Sequence, residues 1–146
     1  MSKDFQHLLR VRYAECDGQN VVFNGRYVDY IDVAMKEFMR VVWGSYQDVH
    51  ASGIDIQAVG LSFNWKAPVH FDDVLVISIK SARIGNTSYT LALNFHKHAT
   101  QAHVASAEIT YVMVSAGNHK KMTIPQTMRE QLEHGAPGVV VNHAGV

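Results

Sequence analysis

The feature that most constrains this chain is a change of hydrophobic period. From position 27 onward apolar residues recur three and four apart: Tyr27, Tyr30, Ile31, Ala34, Met35, Phe38, Met39, Val42 and Trp43. That spacing predicts one amphipathic helix over about residues 26–43. Asn24 is placed to cap it. Asp29 and Asp32 lie early and Lys36 and Arg40 late, as the helix dipole prefers, and Gly44 is a stop signal. On both sides of the helix the period is two. Residues 8–14 alternate, and so do 55–66, 73–83, 87–97 and 102–115, with Pro68 suggesting a bulge or kink between the first two of the later segments. A short amphipathic piece at about 125–133 suggests a last helix.

Consecutive strands with short turns make an antiparallel sheet. A helix with one broad apolar stripe must lie on that sheet. The pattern therefore predicts an α+β fold, an antiparallel five-stranded sheet wrapped around a central long helix. It predicts one domain over residues 1–134 and a loosely ordered tail over 135–146, GAPGVVVNHAGV, broken by Gly and Pro. Val74, Leu75, Val76 and Ile77 are apolar on both parities. The outer face of the sheet is thus expected to meet another copy of the chain.

Thirteen basic and thirteen acidic residues cancel in 146, which argues against a nucleic-acid binder resting on bulk positive charge. One cysteine, Cys16, allows no intramolecular disulfide. No apolar run is long enough for a signal peptide or a membrane span. The expected compartment is the cytoplasm.

The stretch RVRYAECDGQNVVFNGRYVDYID, residues 10–32, resembles the signature of the 4-hydroxybenzoyl-CoA thioesterase family of hotdog proteins: a strand, a loop bearing Asp, Val-Val, and a Tyr that opens the central helix. It is especially similar to the acyl-CoA thioesterases of bacterial Tol-Pal gene clusters. WKAPVHFDDVLVI and RIGNTSY resemble later strand junctions of the same family, and the likeness runs over roughly residues 8–130. The resemblance implies the hotdog fold and hydrolysis of an acyl-CoA thioester to a free acid and CoA, with no cofactor and no metal. It implies Asp17 as nucleophile or general base, and the backbone N–H at Asn24 as the group that polarises the carbonyl. It also implies an active site between the subunits of a homodimer, with dimers pairing into a tetramer. The family usually has Gly where this chain has Gln19 or Asn20. A Gly there serves a positive φ, which Asn tolerates next best, whereas the Gln19 side chain is a candidate to narrow the acyl pocket.

The chemistry needs these residue types. A thioester carries a good leaving thiolate, so hydrolysis requires a nucleophile and a stabiliser for the developing oxyanion. A helix start offers unpaired N–H groups and partial positive charge, and one well-aimed donor is worth about 2.7–4 kcal/mol. The plain alternative for Asp17 is an Asx turn. Val22, Phe23 and Tyr27, with Phe63 and Trp65, suggest an apolar substrate pocket or simply core. Arg83, Lys97 and Lys120 are candidates for the CoA phosphates or ordinary surface charges. Thr87 and Ser88 are candidates for the thioester and pantetheine region. Cys16 is expected to be an inert thiol, and Glu15 a solvated charge or a salt-bridge partner. His96 and His98 lack carboxylate or Cys companions at zinc spacing. An acyl-carrier-protein thioesterase and a non-catalytic acyl-CoA binder are the rival readings. A hydratase is disfavoured, because no His-Phe-Pro-Gly motif occurs.

Overall fold

In a computed structural model, which describes residues 4–146, the predicted helix is present as α1, Arg26–Val42. It follows β1, Phe5–Arg10, and a short 3-10 turn, Tyr13–Glu15. After it come α2, Tyr46–Ala51; β2, Ile54–Trp65; β3, Val74–Ile84; β4, Ser88–Lys97; β5, His103–Ser115; α3, Gln126–His134; and β6, Val140–Asn142. The sheet order is β2-β5-β4-β3-β1-β6.

α1 forms because eight of its residues make one continuous buried stripe, Tyr27 through Val42. Its solvent face carries the pairs Arg26–Asp29, Asp32–Lys36 and Glu37–Arg40 at 3.0–3.4 Å. Gly44 ends it at φ +107°, donating its N–H to the Met39 carbonyl. The N-cap position is Gly25 rather than Asn24, and no side chain caps the start. α2 escaped the sequence reading because it is one and a half turns long. Ser45 caps it by accepting the Asp48 N–H.

The sheet lays Ile77, Ile79, Leu91, Leu93, Phe95, Ile109 and Met113 against α1. Each such side chain, fully buried, contributes about 1.5–3 kcal/mol. The register shifts at Ala58/Gly60, Ser81/Arg83 and Phe95/His96, and Pro68 lies in the irregular segment between β2 and β3. β1 begins earlier than expected, so Phe5, His7 and Leu9 face the helix and Leu8 faces outward.

The expected sheet needs correction. The sheet is six-stranded and mixed, not five-stranded and antiparallel, because β6 pairs with β1 in parallel. That strand comes from the Gly- and Pro-broken segment 135–146. Short length and broken composition hide it from pattern reading. It is held by a row of contacts: the Gln6 N–H donates to Val139, the His143 N–H to Leu8, and the Arg10 guanidinium twice to the Ala144 carbonyl at 3.0 and 3.2 Å. The same segment reaches the outer face. Leu8, Val76 and Ala144 are buried together with Val74 packed on them, so within one chain the terminal segment packs on part of the outward apolar surface of β3.

Candidate active site

Residues 15–23 form a miniature hairpin in front of α1. Cys16 pairs with Val22, the Asp17 N–H donates to Val21, and the Phe23 N–H donates to Glu15. A second tie, from the Val22 N–H to Val69 at 2.8 Å, fastens it to the segment that precedes β3. The turn closes through Asn20 at φ +64°, the conformation expected where the family carries Gly. The Asp17 carboxylate accepts the Gln19 N–H through Oδ1 at 2.8 Å, so the Asx turn is real. The other oxygen, Oδ2, has no partner among the described residues, and the side chain is exposed in the single chain.

The start of α1 supplies donors. The first N–H with a partner here is that of Arg26, which donates to the Phe23 carbonyl. Neither the Asn24 nor the Gly25 N–H donates to any group among the described residues. The exposed Phe23 ring lies against Gly25, close enough that a Cβ there would meet it at 2.9 Å. Val22 and Tyr27 are buried. Tyr27 sits edge-on to Phe63, Trp65 and Phe95 at 5.6–6.0 Å, and burial pushes its hydroxyl up to about 12. Phe63 and Trp65 stack at 4.9 Å, and Trp65 remains 45% exposed. Burial, then the carboxylates of Glu15, Asp17 and Asp73, push the Cys16 thiol up, so it stays protonated and is a poor nucleophile.

Glu15 is the residue that sequence reasoning placed least well. It is a salt-bridge partner, but a buried one, 7% exposed. Its Oε1 accepts the Arg12 main-chain N–H at 2.7 Å and the Tyr30 hydroxyl at 2.8 Å, and its Oε2 accepts the Arg12 guanidinium. Burial alone would raise its pKa; the Arg12 N–H and guanidinium and the Tyr30 hydroxyl overcome this and hold it below the ordinary carboxylate value. The three-residue spacing from Arg12 was the available signal. Nothing in the sequence marked Tyr30 as more than core.

The remaining candidates divide between the two ends of the sheet. Lys97 lies at the same end as the Asp17 loop. It pairs with Asp73 at 3.7 Å, and Asp73 also accepts the His70 N–H, in the segment bridged to Val21. Arg83 and Ser88 share a concavity at the far end of β3 and β4, with Thr87 beside them. Arg83 is on the outer face, against Glu108 at 3.5 Å. Lys120 is exposed on the turn after β5, also at the far end. Ser88 and Lys97 stand at opposite ends of the ten-residue β4, about 30 Å apart at roughly 3.3 Å per residue. One chain therefore does not bring Asp17 together with Arg83, Thr87, Ser88 or Lys120. His96 faces His103 at 4.9 Å rather than His98, which lies beyond the end of β4. Among the described residues, no group of three or more His, Cys, Asp or Glu is arranged to hold a metal ion.

Residues 11–132 match the thioesterase-like superfamily. The long-chain acyl-CoA thioesterase FadM of Escherichia coli is 25% identical over 128 residues, covering 88% of this chain and 96% of that protein. The structure of a thioesterase superfamily protein from Jannaschia sp. superposes with a TM-score of 0.86 at 19% identity, covering 94% of this chain and 96% of that one. A 1,4-dihydroxy-2-naphthoyl-CoA thioesterase from Synechocystis superposes with a TM-score of 0.79 at 19% identity, covering 88% and 94%.

Proposed function

Because this chain belongs to the thioesterase-like superfamily, a family of hotdog-fold thioester hydrolases, we propose that it cleaves an acyl-CoA to the free acid and CoA, with Asp17 as nucleophile or general base and the Asn24 N–H as the carbonyl's partner. The observation that carries this reading is the pair of unpartnered N–H groups at Asn24 and Gly25, on the loop that also bears Asp17. Donors fixed by a folded main chain need no reorganisation as charge builds on the oxygen. The partial positive charge of the helix start favours that oxyanion and an ionised Asp17 alike.

Two routes balance. In the first, Asp17 Oδ2 attacks the thioester carbon, the C–S bond breaks, CoA leaves as thiolate, and water then cleaves the acyl-aspartyl anhydride. In the second, Asp17 takes a proton from water, the hydroxide adds to the carbon, and the tetrahedral intermediate expels the thiolate. In both, the oxyanion rests on the N–H groups at the helix start.

The cleft is completed by a second copy. β2 is a twelve-residue edge strand with Val59, Leu61 and Trp65 exposed, and an open edge of that length is a template for pairing. Antiparallel pairing of two β2 strands about a two-fold axis sets the Asp17 end of one copy beside the Arg83 and Ser88 end of the other. Asp17 and the far-end candidates Arg83, Ser88 and Lys120, at opposite ends of one chain, then face one cleft. Phe23, Tyr27 and Trp65 would line its apolar part. Arg83, Lys97 and Lys120 are the cations available to phosphate, with Thr87 and Ser88 near the pantetheine. Pairs of such dimers would form a tetramer. A cytoplasmic location fits CoA chemistry, and no helix among the described residues is long and apolar enough to cross a membrane.

The test is Asp17→Asn assayed by thiol release over acyl-CoAs of graded chain length, a benzoyl type and an acyl carrier protein substrate. The variant is expected to keep its fold and to lose at least ~100-fold in kcat, in line with the loss of a group used only in the transition state. Full activity in it removes Asp17 from the mechanism.

A further inference from the structure

Glu15 and Tyr30 are joined across fifteen positions of sequence by a buried hydrogen bond of 2.8 Å. Tyr30 is 3% exposed and projects from α1 one turn inside its start. Glu15 is the base of the hairpin that carries Asp17. Through its main chain it holds the second limb, accepting the Phe23 N–H one residue before the free Asn24 donor. Through Oε1 it holds α1. One residue thus grips both the limb that leads to the oxyanion donors and the helix they precede.

This arrangement is costly if it serves stability alone. A carboxylate is kept ionised at a buried position, which requires several charge-assisted hydrogen bonds to offset desolvation. An apolar pair would close the same contact more cheaply. What the charged tie adds is direction: a short O–H···O bond to an ionised acceptor fixes distance and angle where apolar contacts allow sliding.

We infer that Glu15 and Tyr30 are positioning residues for thioester hydrolysis, a buried carboxylate–hydroxyl tie that sets the Asp17 hairpin against the start of α1. The inference rests on the assignment of Asp17 and the Asn24 N–H as the reacting groups. Neither Glu15 nor Tyr30 touches the thioester; they act through the placement of those two. Besides this tie, the hairpin meets α1 through the local bond from the Arg26 N–H to the Phe23 carbonyl and through Val22 in the core, neither of which fixes the limb that bears Asp17, while its own cross-limb bonds tie it to itself and to Val69.

The two oxygens of Glu15 do different work, and this gives a specific control. Oε1 takes the inner bonds from the Arg12 N–H and Tyr30, and Oε2 takes only the guanidinium of Arg12, whose side chain is 82% exposed. In Glu15→Gln the amide oxygen can keep both inner bonds while Arg12 turns to solvent. Glu15→Ala loses them all.

The experiment measures kcat and KM for Tyr30→Phe, Glu15→Gln, Glu15→Ala and Asp17→Asn in the full chain, each checked for fold by circular dichroism and gel filtration. Tyr30→Phe is expected to lower kcat ~10- to 100-fold, the effect of misplacing reacting groups by about an ångström, with KM changed less than about twofold. Glu15→Gln should retain more kcat than Glu15→Ala. Wild-type kcat in folded Tyr30→Phe, or equal kcat in the two Glu15 variants, overturns the inference while an inactive Asp17→Asn preserves the site. A loss seen only in thermal stability overturns it equally. Full activity in Asp17→Asn removes the site itself, and the positioning role with it.

Discussion

His7 makes the stability of this protein depend on pH in a defined window. Its ring is fully buried on the helix side of β1, with no hydrogen-bond partner for either nitrogen among the described residues. The His143 ring stands edge-on to it at 4.9 Å and 87°, brought there by β6. Burial first, and His143 second, lower its pKa from the ordinary 6.5 to about 4, against a smaller opposing pull from Glu37. The folded chain therefore refuses a proton that the unfolded chain accepts. Above pH 6.5 neither state is protonated and nothing is lost. As pH falls from 6.5 to about 4 the unfolded state gains the proton alone, and stability falls. At about 1.4 kcal/mol per pH unit, this gap removes about 3 kcal/mol once pH is below 4, and roughly 2–3 kcal/mol by pH 4.5. The assay is urea denaturation at fixed protein concentration and four pH values between 7.5 and 4.5, for the wild type and His7→Leu. At pH 7.5 the substitution should be near neutral or slightly stabilising, because no hydrogen bond is lost. On acidification the variant should gain on the wild type by roughly 2–3 kcal/mol. Parallel stability curves would refute a neutral, buried His7.

Two further outcomes follow from the same packing. Removing residues 140–146 exposes Leu8 and Val76 and strips β1 of its parallel neighbour, so the urea midpoint should fall by the equivalent of about 3 kcal/mol, measured at neutral pH. Replacing Val59 and Leu61 together by Lys puts like charges on the open edge of β2. Sedimentation should then shift toward monomer, and kcat should fall with it if the cleft is shared; full activity in a monomer would break that link.

Much of the architecture was legible in the chain itself, because it rests on periodicity. The three- and four-residue recurrence from Tyr27 to Val42 and the alternation in four later segments leave few folds open. The Asp17 loop and its Asn20 turn were legible too, since a positive φ restricts residue choice. Other features depend on contacts between distant segments, which no local pattern encodes. β6 is three residues in a Gly- and Pro-broken stretch, and it is a strand only because β1 has a free edge and Arg10 reaches Ala144. That same segment packs Ala144 on Leu8 and Val76, a contact between the two ends of the chain that the alternation of β3 does not show. Glu15 read as a solvated charge or a salt-bridge partner; the pair with Arg12 is there, but only packing α1 against the hairpin buries it and brings the Tyr30 hydroxyl to it. The separation of Arg83 and Ser88 from Asp17 likewise follows from strand order and the length of β4. Sequence by itself determined the long helix, the long strands and which loop can carry a carboxylate, because those are local consequences of side-chain shape and period. Tertiary structure alone decided which polar groups are buried, what they meet, and which ends of the molecule lie apart, because desolvation and distance exist only once the chain has closed on itself.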